Sequence, residues 1–344
     1  MEQTADTARR GRIRDVAREA GVSLSTVSNV LNNPGIVATP TRERVEQAMA
    51  AVGFIRNGVA RQLRGSPSSM VGGILVDLSN PFYAEVARGI QDRLAEDGCL
   101  AILCSTDVQV DREREFLVGL QGLGVRGVLL NSVDPRVDEL IRIDRRGTRV
   151  VLLDDLGDGE SLNAVGLDNL AGGGLAADHL LDLGHRRIAV LRARRELASL
   201  RNRAEGARAA VTARGLDASA VLVDVVIDHP RIDASARAAV EQILATRPRP
   251  TAVMALNDLA AVGVLRGLRE RSVSVPGEIS LVGYDDLAFA AVTAPALTTV
   301  AQPSYELGRR AADVLLAAQD GGAVRVVRFE PRLVVRASTG PAPS

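Results

Sequence analysis

Ile13 to Asn32 reads IRDVAREAGVSLSTVSNVLN, and its apolar spacing spells two short helices around a tight turn. Ile13, Val16, Ala17 and Ala20 recur at the spacing of one helical face, and Gly21 supplies the residue that most easily ends a helix. Ser23 can cap a second helix whose apolar side is Val27, Val30 and Leu31. Two amphipathic helices joined at a glycine are an ordinary packing unit, and they are also a helix-turn-helix. In the second case the later helix enters the DNA major groove, so Leu24, Ser25 and Asn29 meet base edges, with Ser23, Thr26 and Ser28 placed for phosphates or neighbouring bases.

Composition separates a small basic end from a larger remainder. Lys plus Arg and Asp plus Glu both total 42, so the formal net charge is zero. Residues 1–65 nevertheless carry 10 Arg against 6 acids, as the electrostatics of a DNA-binding end require. The chain contains no Lys, so phosphate contacts fall to Arg, hydroxyls and backbone amides. Cys99 and Cys104, the only cysteines, bracket LAIL and read as buried small hydrophobes of a reducing compartment, with no disulfide. No apolar run approaches the roughly 20 residues of a membrane span, and no export signal follows Arg9 and Arg10, so the expected location is the cytoplasm with no membrane partner.

Residues 1–12 read as a disordered tail. After the two helices, Asn33-Pro34-Gly35 turns the chain, and a third helix is expected from about Pro40 to Ala51, capped by Thr39, with Val45, Ala48, Met49 and Val52 inward. From Met70 onward, VGGILV, LAILC, GVLLN, RVVLL, RIAVL, VLVDVV, TAVMA and ISLVG alternate with helix-length stretches, which predicts parallel sheets covered by helices on both faces. Eight runs exceed one ordinary sheet. A break near Ala164 to Asp168 divides them into two lobes, and Thr298 to Gln302 reads as a return pass between the lobes.

Enzyme signatures fail one after another. Gly172-Gly173-Gly174 lacks the spacing of a dinucleotide or phosphate loop, His179, His185 and His229 lack metal-ligand spacing, and no nucleophile elbow occurs. Neither metal nor cofactor is expected. His185 falls in a turn before a strand and reads as structural. Binding fits better: Asp77-Leu78-Ser79-Asn80-Pro81-Phe82-Tyr83 puts polar groups and two rings just past a strand's carboxyl end, in a chain that is only 2% aromatic. Asp77, Phe82 and Tyr83 are therefore candidate ligand contacts, one of the two rings being expected to pack into its own lobe.

Asp15-Val16-Ala17, Ala20-Gly21-Val22-Ser23, Thr26-Val27-Ser28 and Val30-Leu31-Asn32 together resemble the DNA-reading signature of the lactose-repressor (LacI/GalR) family. The likeness runs through nearly the whole chain. It implies a helix-turn-helix over residues 13–57, a hinge helix and linker over 58–69, and over 70–340 a two-lobed α/β domain of the type I periplasmic-binding-protein fold that dimerises and takes an effector. On this resemblance Asn57, Ala60 and Leu63 contact DNA from the hinge, Leu63 as a minor-groove wedge, although the same segment taken alone is also a plain linker. The resemblance likewise marks Arg203, His229, Asn257, Asp285 and Gln302 as effector contacts, with Arg203 and Asp285 facing each other across the cleft. Departures are visible: Asp155 follows Asp154 where relatives have Arg, and Arg192-Ala193-Arg194-Arg195 stands where they have a Gly-Pro turn.

The chain is thus read as a homodimeric transcription regulator, a repressor, whose partners are a palindromic double-stranded operator and a small effector, a sugar ahead of a nucleobase. The rivals are a regulator without an effector and a solute-binding protein of the same two-lobed fold.

Overall fold

A computed structural model describes residues 11–54, 68–134, 137–195, 197–228, 231–318 and 322–343. The chain divides into two units, Met1–Pro67 and Ser68–Ser344.

The smaller unit is three helices: α1 (Ile13–Ala20), α2 (Leu24–Asn32) and α3 (Thr39–Ala51). Gly21 ends α1 at φ +63°, in the left-handed region where a side chain costs most. The Ser23 hydroxyl caps α2 by accepting from the Thr26 amide at 3.1 Å. Thr39 does not cap α3. It is the helix's first residue, with Pro40 beside it, and Ala38 takes the cap position without a side-chain bond, so the proline's preset φ starts this helix. Val16, Ala17, Ala20, Val27, Val30, Val45 and Ala48 form the buried core, and Ile13, Leu31, Met49 and Val52 pack around it half-buried. At about 1.5–3 kcal/mol for each large side chain taken out of water, so small a core holds three helices only because all three contribute to it.

The larger unit opens with β1 (Met70–Leu75), α4 (Pro81–Glu96), β2 (Leu100–Ser105), α5 (Val110–Gly122), β3 (Gly127–Leu130), α6 (Val137–Arg145), β4 (Arg149–Leu153) and β5 (Asn163–Leu167). It continues with α7 (Asn169–Asp182), β6 (Ile188–Ala193), α8 (Ala198–Ala213), the single turn α9 (Ala218–Val221), β7 (Leu222–Ile227), α10 (Ile232–Ala245), β8 (Ala252–Met254), α11 (Asp258–Glu270) and β9 (Ser280–Asp285). The last elements are β10 (Thr298–Ala301), α12 (Ser304–Ala317), β11 (Val326–Phe329) and β12 (Arg332–Val334).

Two six-stranded sheets result. Their orders, β11-β5-β4-β3-β1-β2 and β12-β10-β9-β8-β6-β7, repeat one doubly wound pattern, and every pairing is parallel except β10 with β12. All eight apolar runs of the sequence are strands. The stretch expected as a break, Ala164 to Asp168, is instead strand β5 of the first sheet up to Leu167, and the chain leaves for the second lobe just after it. The return comes after β10, because α12 packs back on α4 of the first lobe, and β11 and β12 then give one more strand to each sheet. In sheets of this order, ligands sit at the carboxyl ends of the strands where the order reverses, between β1 and β3 and between β6 and β8. Cys99 is buried and Cys104, on the edge strand β2, is half-buried, both as free thiols.

Candidate functional site

At the amino end of α2 three hydroxyls gather. Ser23 Oγ lies 2.7 Å from Ser25 Oγ and 2.9 Å from Thr26 Oγ1, beside backbone amides that the helix leaves unpaired. Ser23, Leu24 and Ser25 are exposed, Leu24 being 45% accessible although apolar. Thr26, Ser28 and Asn29 are half-buried, and Ser28 is tied down by Asn32, whose amide nitrogen reaches its carbonyl at 2.9 Å and its hydroxyl at 3.2 Å. An exposed methyl group, hydroxyls and a carboxamide on one helix end suit the edge of a thymine, phosphates and an adenine respectively. Asn57, Ala60, Leu63 and His229 lie outside the described residues.

The second site is the cleft of the larger unit. Asp77, Asn80, Phe82, Tyr83 and Asp154 line it from the first lobe, and Leu197, Ser199, Leu200, Arg203, Ile232, Leu256, Asn257 and Asp285 from the second. The strand ends deliver them as the topology requires: Asp77 follows β1, Asp154 follows β4, Asp285 ends β9, and Asn257 leads from β8 into α11. Asp154 at φ +56° and Asp285 at φ +110° hold backbone conformations uncommon for side chains other than glycine, of the kind that concentrates at binding sites.

Arg203 organises the polar wall. Its Nε donates to Asn169 Oδ1 at 2.8 Å and its NH1 to the Leu256 carbonyl at 2.8 Å, while its carboxylate neighbours are Asp154 at 3.9 Å and Asp285 at 4.0 Å. The guanidinium carbon stands 3.6 Å from the centre of the Tyr284 ring, a cation–π contact. Burial works against the charge, but Tyr284, Asp154, Asp285 and Tyr83 outweigh it, so Arg203 stays ionised. Asn169 ties the lobes together: its Nδ2 donates to Asp154 Oδ1 at 3.1 Å and its Oδ1 also accepts from the Tyr284 hydroxyl at 3.2 Å. Burial pushes the Asp285 carboxyl well above the ordinary range, with Arg203 and the Gln302 amide, 2.7 Å away, pulling it back. Burial raises Asp154 too, opposed by Arg203 and by hydrogen bonds from Asn169 and Ser199.

Two expectations need correction. Arg203 and Asp285 do not face each other across the cleft: both belong to the second lobe and lie side by side, because α8 runs past the end of β9. Phe82 and Tyr83 are not one packed ring and one free ring. Both sit in the first turn of α4, both are buried in the first lobe's core, and they meet edge-on at 5.0 Å between centroids, since two rings at a helix start cover more apolar surface together than apart. The Asn257 side chain caps α11, accepting from the Ala260 amide at 2.9 Å. Asp77 accepts from the Ser79 amide and hydroxyl at 2.9 and 2.6 Å. His185 is a structural residue, its ring nitrogens held by Thr251 and the Gly340 carbonyl.

Asn80, Asp154, Asn169, Ser199 and Tyr284 are not among the ligand contacts expected from the sequence, although Asn80 lies in the polar stretch after the first strand. Asp154 follows RVVLL as Asp77 follows the first strand, so the strand-end rule that marked one would have marked the other. Asn169 and Tyr284 carry no such signal, because their role is to hold Arg203. Among the described residues no group of His, Cys, Asp and Glu could hold a metal ion, and no helix is long and apolar enough to cross a membrane.

Comparison with known proteins recognises part of each unit. Residues 12–57 match the model for bacterial regulatory proteins of the lacI family, and residues 177–339 that for the periplasmic binding protein-like domain. The HTH-type transcriptional repressor PurR of Photobacterium profundum is 32% identical over 329 residues, 95% of this chain and 98% of that protein. The lac repressor dimer bound to operator and the anti-inducer ONPF superposes with a TM-score of 0.83 at 28% identity, over 96% of this chain and 100% of that one. A LacI family transcriptional regulator from Enterococcus faecium with bound ribose does so with a TM-score of 0.72 at 30% identity, over 80% of this chain and 100% of the other.

Proposed function

The chain belongs to the lacI family of bacterial regulatory proteins, a DNA-binding transcription regulator modulated by an effector, and we propose that it is a repressor that binds a palindromic operator as a dimer and takes a sugar in the interlobe cleft. The observation that carries the reading is the convergence of Asp77, Tyr83, Arg203, Asn257 and Asp285, from both lobes, on one buried polar cavity. Carboxylates, carboxamides and a guanidinium in that density match the alternating donors and acceptors of a polyol. Apolar walls from Phe82, Leu197, Leu200, Ile232 and Leu256 suit a sugar ring's carbon face. A neighbour crystallised with ribose supports a sugar over the nucleobase that the same groups could also pair with.

On this proposal Leu24, Ser25 and Asn29 read bases, Ser23, Thr26 and Ser28 anchor the phosphates, and Asn57, Ala60 and Leu63 serve the hinge, as the family resemblance implies. The effector acts by favouring one lobe arrangement over another. Thermal melting with a sugar panel tests the cleft: a bound sugar raises Tm by mass action, by an amount set by its concentration relative to Kd. Asp285→Ala abolishes that rise while the free protein still binds DNA. A sugar-induced rise that survives in Asp285→Ala would remove the cleft from the proposal.

A further inference from the structure

Resting on the reading of the cleft as the effector site, we infer that it is built for a ligand with no anionic group: an uncharged or amine-bearing polyol, and not a phosphorylated or acid sugar. The reason is the balance of charge held out of water. Among the described residues that line the cavity, three are acids, Asp77, Asp154 and Asp285, and Arg203 is the one cation. Asp154 and Asp285 are 4% and 5% exposed, and burial already works against a negative charge on either of them, with Arg203 as their shared counter-charge. An anion entering here would lose its hydration and add a further negative charge to a site that already resists holding its own.

Arg203 is already shared. Its Nε and one N–H of its NH1 are bonded to Asn169 and the Leu256 carbonyl and its planar face to Tyr284, so its other N–H donors can reach a ligand, but its charge is the counter-charge of the carboxylates at 3.9 and 4.0 Å. A phosphate that recruited it would leave Asp154 and Asp285 buried without their counter-charge, the costly half of a broken ion pair. The other carboxamide donors of the lining are neutral: Asn80 and Asn257 use their oxygens in helix caps, accepting from the Phe82 and Ala260 amides, which leaves only their uncharged NH2 groups for a ligand. Behind the lining, Gln302 donates to Asp285 at 2.7 Å, and its Oε1 is buried and accepts no hydrogen bond from the described residues, so the second row also offers an unfilled acceptor. Hydroxyl or ammonium donors satisfy such acceptors, and a phosphate dianion has none to give.

The test is titration calorimetry and thermal melting of the full chain with matched compounds: glucose, glucosamine, glucose 6-phosphate and glucuronate, then ribose and ribose 5-phosphate, with Asp285→Ala and Asp154→Asn in parallel. The expected result is binding by an uncharged or amino member, with its anionic counterpart roughly 100-fold or more weaker, as juxtaposed like charges demand. Asp154→Asn, which removes one buried carboxyl that competes for Arg203, narrows that gap. An anionic member that binds as tightly as its neutral counterpart, with the response lost in Asp285→Ala, overturns this inference and leaves the cleft as effector site. A response that Asp285→Ala leaves intact overturns the cleft reading instead. Silence from every compound counts against both.

Discussion

Asn29 stands one turn into α2, half-buried, at a position where the family resemblance implies an Arg in many relatives. Arg forks onto guanine O6 and N7, whereas Asn pairs with adenine N6 and N7, each good pair discriminating by about 1–3 kcal/mol. Asn29→Arg is therefore expected to move the selected operator toward guanine at one symmetric pair of positions, read by selection from random duplexes. A uniform change of affinity with the selected sequence unaltered would make Asn29 a positioning residue. A second single-residue effect concerns pH. Asp258, fully buried at the start of α11, accepts from Thr299 Oγ1 at 2.7 Å and the Leu287 amide at 2.8 Å, yet burial outweighs those bonds and lifts its carboxyl from 3.8 to about 6. Between those values the folded chain binds more protons at Asp258 than the unfolded chain does, so stability falls as pH rises through that window and levels off above it. Asp258→Asn, neutral throughout, should flatten the fall, although its NH2 opposite the Leu287 amide lowers stability at every pH. Urea midpoints measured across the window decide it, and an unchanged slope would refute the assignment.

Helices α7 and α8 cross in backbone contact, and that crossing sets where Arg203 stands. A Cβ on Gly173 would lie 1.9 Å from the Arg203 carbonyl oxygen, and one on Gly206 would lie 1.9 Å from that of Leu170. The first lobe repeats the device where α4 crosses α12, with Gly89 against Tyr305 and Gly308 against Val86. Gly173→Ala is expected to destabilise by about 1–3 kcal/mol, the usual cost of overpacking, and to weaken effector binding by displacing Arg203. Gly119, on α5, is the control: a Cβ there would meet nothing within 4 Å, so alanine should stabilise by roughly 0.5–1 kcal/mol. Denaturation of the two variants separates them, and a neutral Gly173→Ala would show that the helices can part freely. The glycine run was legible only as something other than a phosphate loop. Its reason is a partner helix later in the chain, which no local pattern announces.

At the scale of the whole molecule, the cleft residues are split between lobes joined by three chain crossings, after β5, after β10 and after β11. Leu197 and Leu287 of the second lobe pack into the first lobe's core, so a change of lobe angle repacks apolar surface as well as polar contacts. A ligand that touches both lobes can bias that equilibrium only through its difference in affinity for the two arrangements. DNA affinity has its own arithmetic. One α2 offers a few base contacts, so tight operator binding should need two readers related by a two-fold axis. Sedimentation with DNA carrying one or two half-sites measures this, and a monomer held tightly on a single half-site would refute the dimer.

Local order was readable from neighbours in the chain. The 3.6-residue spacing around Gly21 and Ser23 determined the first two helices, and the apolar runs determined eight strands and their parallel sense, because helix periodicity and strand burial are properties of short segments. Strands β5 and β10 were read as a break and a return pass, and the edge strands β11 and β12 escaped altogether, since their half-buried and exposed residues lack the solid apolar run of a central strand. What only the tertiary structure decided is which charges meet. Asp154, Asn169, Arg203, Tyr284 and Asp285 come from four separate stretches and both lobes, and their association depends on where the chain crosses between the sheets. A helix is specified by contacts a few residues away, but a buried arginine is held by whichever carboxylates the topology carries to its side, and that is a property of the completed fold.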